Sequence, residues 1–158
     1  MKHYDESNDQ RGGLSYLYVI PLTSFLQYRH DYLTGLDHPE FTRRTDIIQL
    51  PVSEGTEWSE EEKITSGGHL YSIKINGTLK KSDRIGPHLL RELECGCWMV
   101  LHIDSLGVCR MSGSEEVPMR FELTSKSGSA PSSSNIRSFT FSCSQAAPSV
   151  ICSVDFPI

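Results

Sequence analysis

The sequence predicts a mainly β protein: an antiparallel β-sandwich or barrel with one short α-helix at about residues 83–94. Three observations carry that expectation. Short runs such as "LSYLYVIP", "PMRFELT" and "IRSFTFSCS" are rich in aromatic and β-branched residues and alternate in polarity. Glycine, proline, serine and asparagine separate these runs at close intervals. One stretch alone, "SDRIGPHLLRELECG", carries a leucine stripe between helix start and stop signals. About eight to ten short strands without intervening long helices point to a sandwich or barrel.

The chain has 158 residues, with 37% apolar and 22% charged residues. That is the size and composition of one globular domain with its own core. Residues 1–13 are polar and without period, so the domain is expected over 14–158 behind a flexible N-terminal segment.

Gly12-Gly13 leads into "LSYLYVIP", in which Leu14, Tyr16, Tyr18 and Ile20 point one way and Leu17 and Val19 the other. This is a strand apolar on both faces, ended by Pro21. Residues 22–41 read either as a helix with a Phe25, Tyr28 and Tyr32 stripe or as a strand and long loop. A short strand is expected around Ile47–Leu50. Gly67-Gly68 divides a strand or extended arm near 56–65 from a strand over His69–Ile75, with Tyr71, Ile73 and Ile75 on one face. Asn76-Gly77 predicts a hairpin turn, because a type I′ turn needs positive φ at both central positions. In the helix, Ser82 or Asp83 serves as the N-cap, Pro87 fits the first turn, and Gly96 closes the end in the left-handed region.

"CWMVLHI" is the next strand. In "DSLG", Asp104 bonds the turn backbone and Gly107 takes positive φ, and "VCRM" returns. After Ser112-Gly113, Met119, Phe121 and Leu123 face inward while Arg120 and Glu122 face out. "SKSGSAPSSSN" is a loop by composition. Phe139, Phe141 and Cys143 then share a face, and "SVICSVDF" is the last strand.

The chemistry that this pattern leaves room for is small. A net charge of −5 speaks against a nucleic-acid partner, which needs a positive surface. No run approaches the ~20 apolar residues of a membrane-spanning helix. The polar start lacks the apolar segment of a secretory signal, so a cytoplasmic address with reduced thiols is expected. Asn76-Gly77-Thr78 is then an accidental glycosylation sequon. His102 and Asp104 are two apart on a strand entering a turn, and no nucleophile or oxyanion donor accompanies them. Cys95 and Cys97 have a spacing that two thiolates on one zinc can adopt, with His88 or His102 as further ligands. The second cysteine pair of a structural zinc site is missing. Cys109, Cys143 and Cys152 lie in apolar strands and read as core. Glu60-Glu61-Glu62 reads as a solvated or partner-facing strand edge. No catalytic, cofactor-binding or metal-binding residue is therefore assigned.

In layout the chain resembles the small accessory structural proteins of tailed phages and prophages of gut bacteria: neck and tail completion, connector and minor tail proteins. The resemblance runs through the polar start, Gly12-Gly13, the strand closing on Ile20-Pro21, Gly68 and Tyr71, and the leucine-rich helix. It continues through the Asp104-to-Gly107 turn, Arg110, Gly113, Pro118-Met119-Arg120-Phe121, the serine-rich loop, Phe139-Thr140-Phe141 and Ala147-Pro148. The cysteine-rich C-terminal half and the segment between Tyr28 and Thr45 depart from it. The resemblance implies a non-enzymatic assembly protein without cofactor, working in the host cytoplasm or in virion particles. Its partners would be copies of itself, in a ring, and other virion-type structural proteins. Residues 1–13, 52–67 and 125–135 are the expected arms. The rival expectation is a β-sandwich module binding carbohydrate or peptide.

Overall fold

The computed structural model describes residues 13–80, 83, 85–126 and 136–154. The expected N-terminal segment, apart from Gly13, and most of the serine-rich loop lie outside the described residues.

Eleven strands and one α-helix follow in order: β1 (Leu14–Pro21), β2 (Phe25–Asp31), β3 (Leu36–Phe41), β4 (Ile48–Leu50), β5 (Glu57–Thr65), β6 (Gly68–Leu79), α1 (Pro87–Cys95), β7 (Trp98–Asp104), β8 (Cys109–Ser112), β9 (Arg120–Lys126), β10 (Ile136–Gln145) and β11 (Val150–Cys152). They form a seven-stranded sheet, β2-β3-β11-β8-β7-β1-β4, and a four-stranded sheet, β5-β6-β10-β9. The fold is thus the expected sandwich-like, mainly β architecture with a single helix among the described residues. Pairing is antiparallel except between β3 and β11, which run parallel with Cys152 opposite Asp37.

Two apolar cores explain the two-sided strands. Leu17, Val19, Leu50, Trp98 and Val100 of the larger sheet meet Ile73, Ile75, Phe121, Phe139 and Phe141 of the smaller one, with Leu90 and Leu93 of α1 closing one end. On the other face of the larger sheet, Tyr18, Ile20, Met99, Leu101 and Met111 are covered by Phe25, Tyr28 and Phe41. Those last three belong to β2 and β3, several strands away in the same sheet. At about 4.8 Å per strand a flat sheet could not bring them together, so the larger sheet curls around this second core.

Five sequence expectations need correction, each for a physical reason. Asn76-Gly77 is not a turn. β6 runs through it to Leu79, with Gly77 directly opposite Phe139 on β10. A Cβ on Gly77 would fall 2.5 Å from Phe139 Cζ, so the glycine makes room for a ring rather than a bend. The turn is instead Ser66-Gly67, which joins Thr65 to Gly68, and of the two alternatives for the preceding segment the strand is the one formed, as β5 paired along β6.

Residues 22–41 form neither a helix nor a long loop but a hairpin. Phe25 pairs with Phe41 and Gln27 with Glu40, so Leu26 is an extra, bulged residue. Leu14 does not share the Tyr18 face. A register shift between Leu14 and Tyr16 turns it toward Leu17 and the inter-sheet core.

The helix starts at Pro87 rather than 83, with Gly86 as an extended N-cap that offers no side chain. A residue before proline is pushed out of the helical region, which sets this boundary. Asp83 instead accepts a hydrogen bond from the Lys80 N–H.

Gly96 is also extended, at φ −88°, not left-handed. The Trp98 indole lies where its Cβ would be, and that indole donates to Leu93 O at 2.9 Å, capping the helix end from outside. Gly96→Ala is therefore expected to destabilise the fold by about 1–3 kcal/mol, read as a lower denaturation midpoint at unchanged slope.

Candidate functional site

Chemistry-bearing side chains gather in two places. The first lies between the sheets. β7 alternates, so Trp98, Val100 and His102 face the inter-sheet core while Met99, Leu101 and Ile103 face the other. His102 is fully buried. Trp58 of β5 packs over it with ring centroids 5.3 Å apart, and Arg110, its register partner on β8, stacks its guanidinium 4.7 Å from the Trp58 ring. Arg110 also donates to Asp104 Oδ2 at 2.9 Å. Asp104 Oδ1 accepts from the N–H groups of Leu106 and Val108, the turn role expected of it, and Gly107 takes φ +84°.

Burial pushes the Asp104 carboxyl up, but the Arg110 hydrogen bond and the two N–H groups outweigh it and hold it below its ordinary value. His102 goes the other way for a base. Burial, reinforced by Arg110 and only partly offset by Asp104, drives it down to about 3. At neutral pH the imidazole is uncharged. Both of its nitrogens, and the Trp58 indole N–H, are buried without a partner. Such groups cost stability. The enclosed imidazole, with Trp58 of the smaller sheet packed over it, clasps the two sheets together.

The second place is the β2–β3 hairpin. A four-residue turn, Tyr32–Gly35, is held by Asp31, whose carboxylate accepts from the Leu33 N–H and the Thr34 hydroxyl. Those bonds keep Asp31 below its ordinary carboxylate value. His30 Nδ1 lies 2.8 Å from Asp37, and His38 Nδ1 lies 3.2 Å from the Ser153 hydroxyl. Asp31, His38 and Ser153 thus stand in a row, but His38 Nε2 is 3.7 Å from Asp31, too far for a hydrogen bond. Ser153 donates its own N–H to Asp37 O, so it has no backbone donor to offer an oxyanion. Beside the row is a cleft of about 350 Å³ reached by Arg29, His38, Glu40, Phe41, Arg44 and Ser153. The hairpin tip is apolar and bare: Tyr32 is 91% and Leu33 97% exposed.

The residues considered for metal binding do not assemble. Cys95 and Cys97 are exposed at the end of α1, a departure from core packing, whereas His102 is buried between the sheets. Among the described residues no group of three His, Cys, Asp or Glu is placed to hold an ion. The acidic run lies on β5, an edge strand, as expected. There Glu60 accepts from the Ser149 N–H, while Glu62 accepts from Tyr71 and pairs with His69. Cys109 and Cys152 are buried, and Cys143 is half-buried with its thiol pushed up to about 11 by burial.

Nothing in the sequence signals the partners of His102, Trp58 and Arg110, which lie 44 positions before and 8 after it in the chain. The hairpin cluster had no local signal beyond the density of Asp and His between residues 30 and 38. None of the described helices is long and apolar enough to cross a membrane. No protein-family model, curated protein or solved structure matches the chain.

Proposed function

We propose that this chain is a non-enzymatic structural or assembly protein of the phage neck or tail kind that its layout resembles. It works through contacts with further copies of itself and with other virion-type components, made in the host cytoplasm and carried into the particle. The observation that supports this reading most is the β2–β3 hairpin. β2 is the outermost strand of its sheet, and its tip presents two large apolar side chains to solvent.

Edge strands invite pairing with another chain, and charge is the usual defence. β5, the edge of the smaller sheet, carries that defence in Glu57, Glu60, Glu61 and Glu62. β2, with the sequence FLQYRHD, has no charge in its first four residues, and its bulged Leu26 is 55% exposed. Of the remaining edges, β4 has only three residues and β9 carries Arg120 and Glu122, so β2 is the longer edge with an uncharged run open to addition. Main-chain bonds along it would supply affinity and the Tyr32-Leu33 tip would choose the neighbour.

Sedimentation velocity over a wide concentration range tests this. The unaltered chain is expected to shift to larger species as concentration rises, and the Tyr32→Ser, Leu33→Ser variant to do so only at concentrations at least about tenfold higher. A chain that stays monomeric throughout contradicts self-assembly. The rival, a module for carbohydrate or peptide, draws on the polar cleft beside the hairpin, and glycan retention by a strict monomer would favour it.

A further inference from the structure

We propose that Cys109 and Cys152 are a disulfide-forming pair, and that peroxide closes them into a latch tying β8 to β11, the strand on which the β2–β3 hairpin pairs. The two cysteines are register partners on β8 and β11, with their sulfurs 3.4 Å apart. A disulfide needs ~2 Å, a closure that side-chain rotation within one cross-strand pair can supply.

Their place in the fold gives the bond a consequence. β11 has three residues and is the only described strand between β3 and β8. Cys152 faces Cys109 on one side and Asp37 of β3 on the other, next to the Ser153 N–H that donates to Asp37 O. The hairpin therefore joins the strand ladder through one residue pair, beside the packing of Phe25, Tyr28 and Phe41 on the second core, and Cys152 is half of that pair. A short strand so thinly paired opens locally more readily than a long one, which gives oxidant its entry to a pair only 8% and 3% exposed.

The pair is also divided in reactivity. The hydrogen bond between the two sulfurs, with Arg110 nearby and against burial, holds the Cys109 thiol below its ordinary value. The same bond, with burial, raises Cys152. Cys109 is thus the attacking sulfur. Its thiolate takes an oxygen from hydrogen peroxide, giving a sulfenic acid and releasing hydroxide, which takes up the thiol proton as water. Cys152, losing its proton, attacks that sulfur and expels the oxygen as a second water. Two thiols and one peroxide become one disulfide and two waters. The inference does not depend on the assembly reading.

The test uses the full chain with Cys95→Ser and Cys97→Ser, which removes the two exposed thiols. After peroxide treatment, a non-reducing peptide map should join the Cys109 and Cys152 peptides with a loss of about 2 Da, reversible by dithiothreitol. Amide exchange in β11 and β3 should slow by about tenfold or more in the oxidised form. Cys152→Val should instead trap Cys109 as a dimedone-reactive sulfenic acid. Two outcomes overturn the proposal. One is full alkylation of both thiols at a peroxide dose that oxidises Cys95 and Cys97 in the unaltered chain. The other is Cys109 over-oxidised while Cys152 stays free.

Discussion

Acidification from about pH 7 to pH 4 is expected to remove several kcal/mol of folding stability, and one buried imidazole should account for most of the loss above pH 5. The sign follows from His102. Its value is lowered from 6.5 in the unfolded chain to about 3 in the folded one, chiefly by burial. The unfolded chain therefore binds the extra proton first, and stability rises with pH across that interval. The contribution is fully present above 6.5 and drains away as pH falls toward 3. A displacement of this size corresponds to an upper bound of about 5 kcal/mol. Asp104 and Asp31, both held below their ordinary values, add losses of the same sign only at lower pH.

Denaturant unfolding at pH 8, 6.5, 5.5 and 4.5 checks this against His102→Leu. Leucine keeps the apolar contact with Trp58 and removes two nitrogens that have no partner. The variant should be as stable as the unaltered chain at pH 8, or more so, because apolar replacement of an unsatisfied buried group is neutral or favourable. Its pH dependence between 6.5 and 5 should be shallower. An unaltered chain with no slope in that window would remove the imidazole from the account.

The other large effect concerns Gly77. The outer end of the Phe139 ring fills the space beside this glycine, and the ring also meets Phe121 and Phe141 with centroids 6.0 and 5.9 Å away. Gly77→Ala places a methyl group inside the ring's space and should cost about 2–3 kcal/mol. Phe139→Ala removes the ring itself and should cost about 3–5 kcal/mol. The two are neighbours, so their effects should not add. In a Phe139→Leu background, Gly77→Ala should cost well under half as much as it does alone. Equal costs in both backgrounds would mean that ring and glycine do not constrain each other.

Both sites show how much of the fold the residues announce. The β1 pattern and the Asp104–Gly107 turn were legible because their causes are local: two-sided alternation, an Asx bond, one positive-φ glycine. Asn76-Gly77 misleads because its local turn chemistry is overridden by an aromatic residue 62 positions later that needs an absent side chain. Phe25 and Tyr28 are three apart, a helical spacing, yet their rings meet at 5.0 Å on one face of a strand. The bulge at Leu26 shifts the alternation by one and imitates a helix. The same device moved Leu14 to the other face of β1. Bulges, ring-against-glycine contacts and the clasp of His102 by Trp58 and Arg110 all depend on which strands become neighbours, and single-strand periodicity does not contain that information. The helix boundary was misplaced by a few residues for a simpler reason: Ser82 and Asp83 are good caps, but Pro87 decides where the helical φ values begin.

On the proposed reading, further copies of this chain add along the outer edge of β2, whose first four residues carry no charge. Hydrogen exchange compared between dilute and concentrated samples of the same chain tests it most directly. Amides from Leu26 to Asp31 are expected to gain protection on concentration while those of the acidic β5 edge do not. Uptake in β2 that is the same at every concentration, or protection that builds along β5 instead, would contradict it.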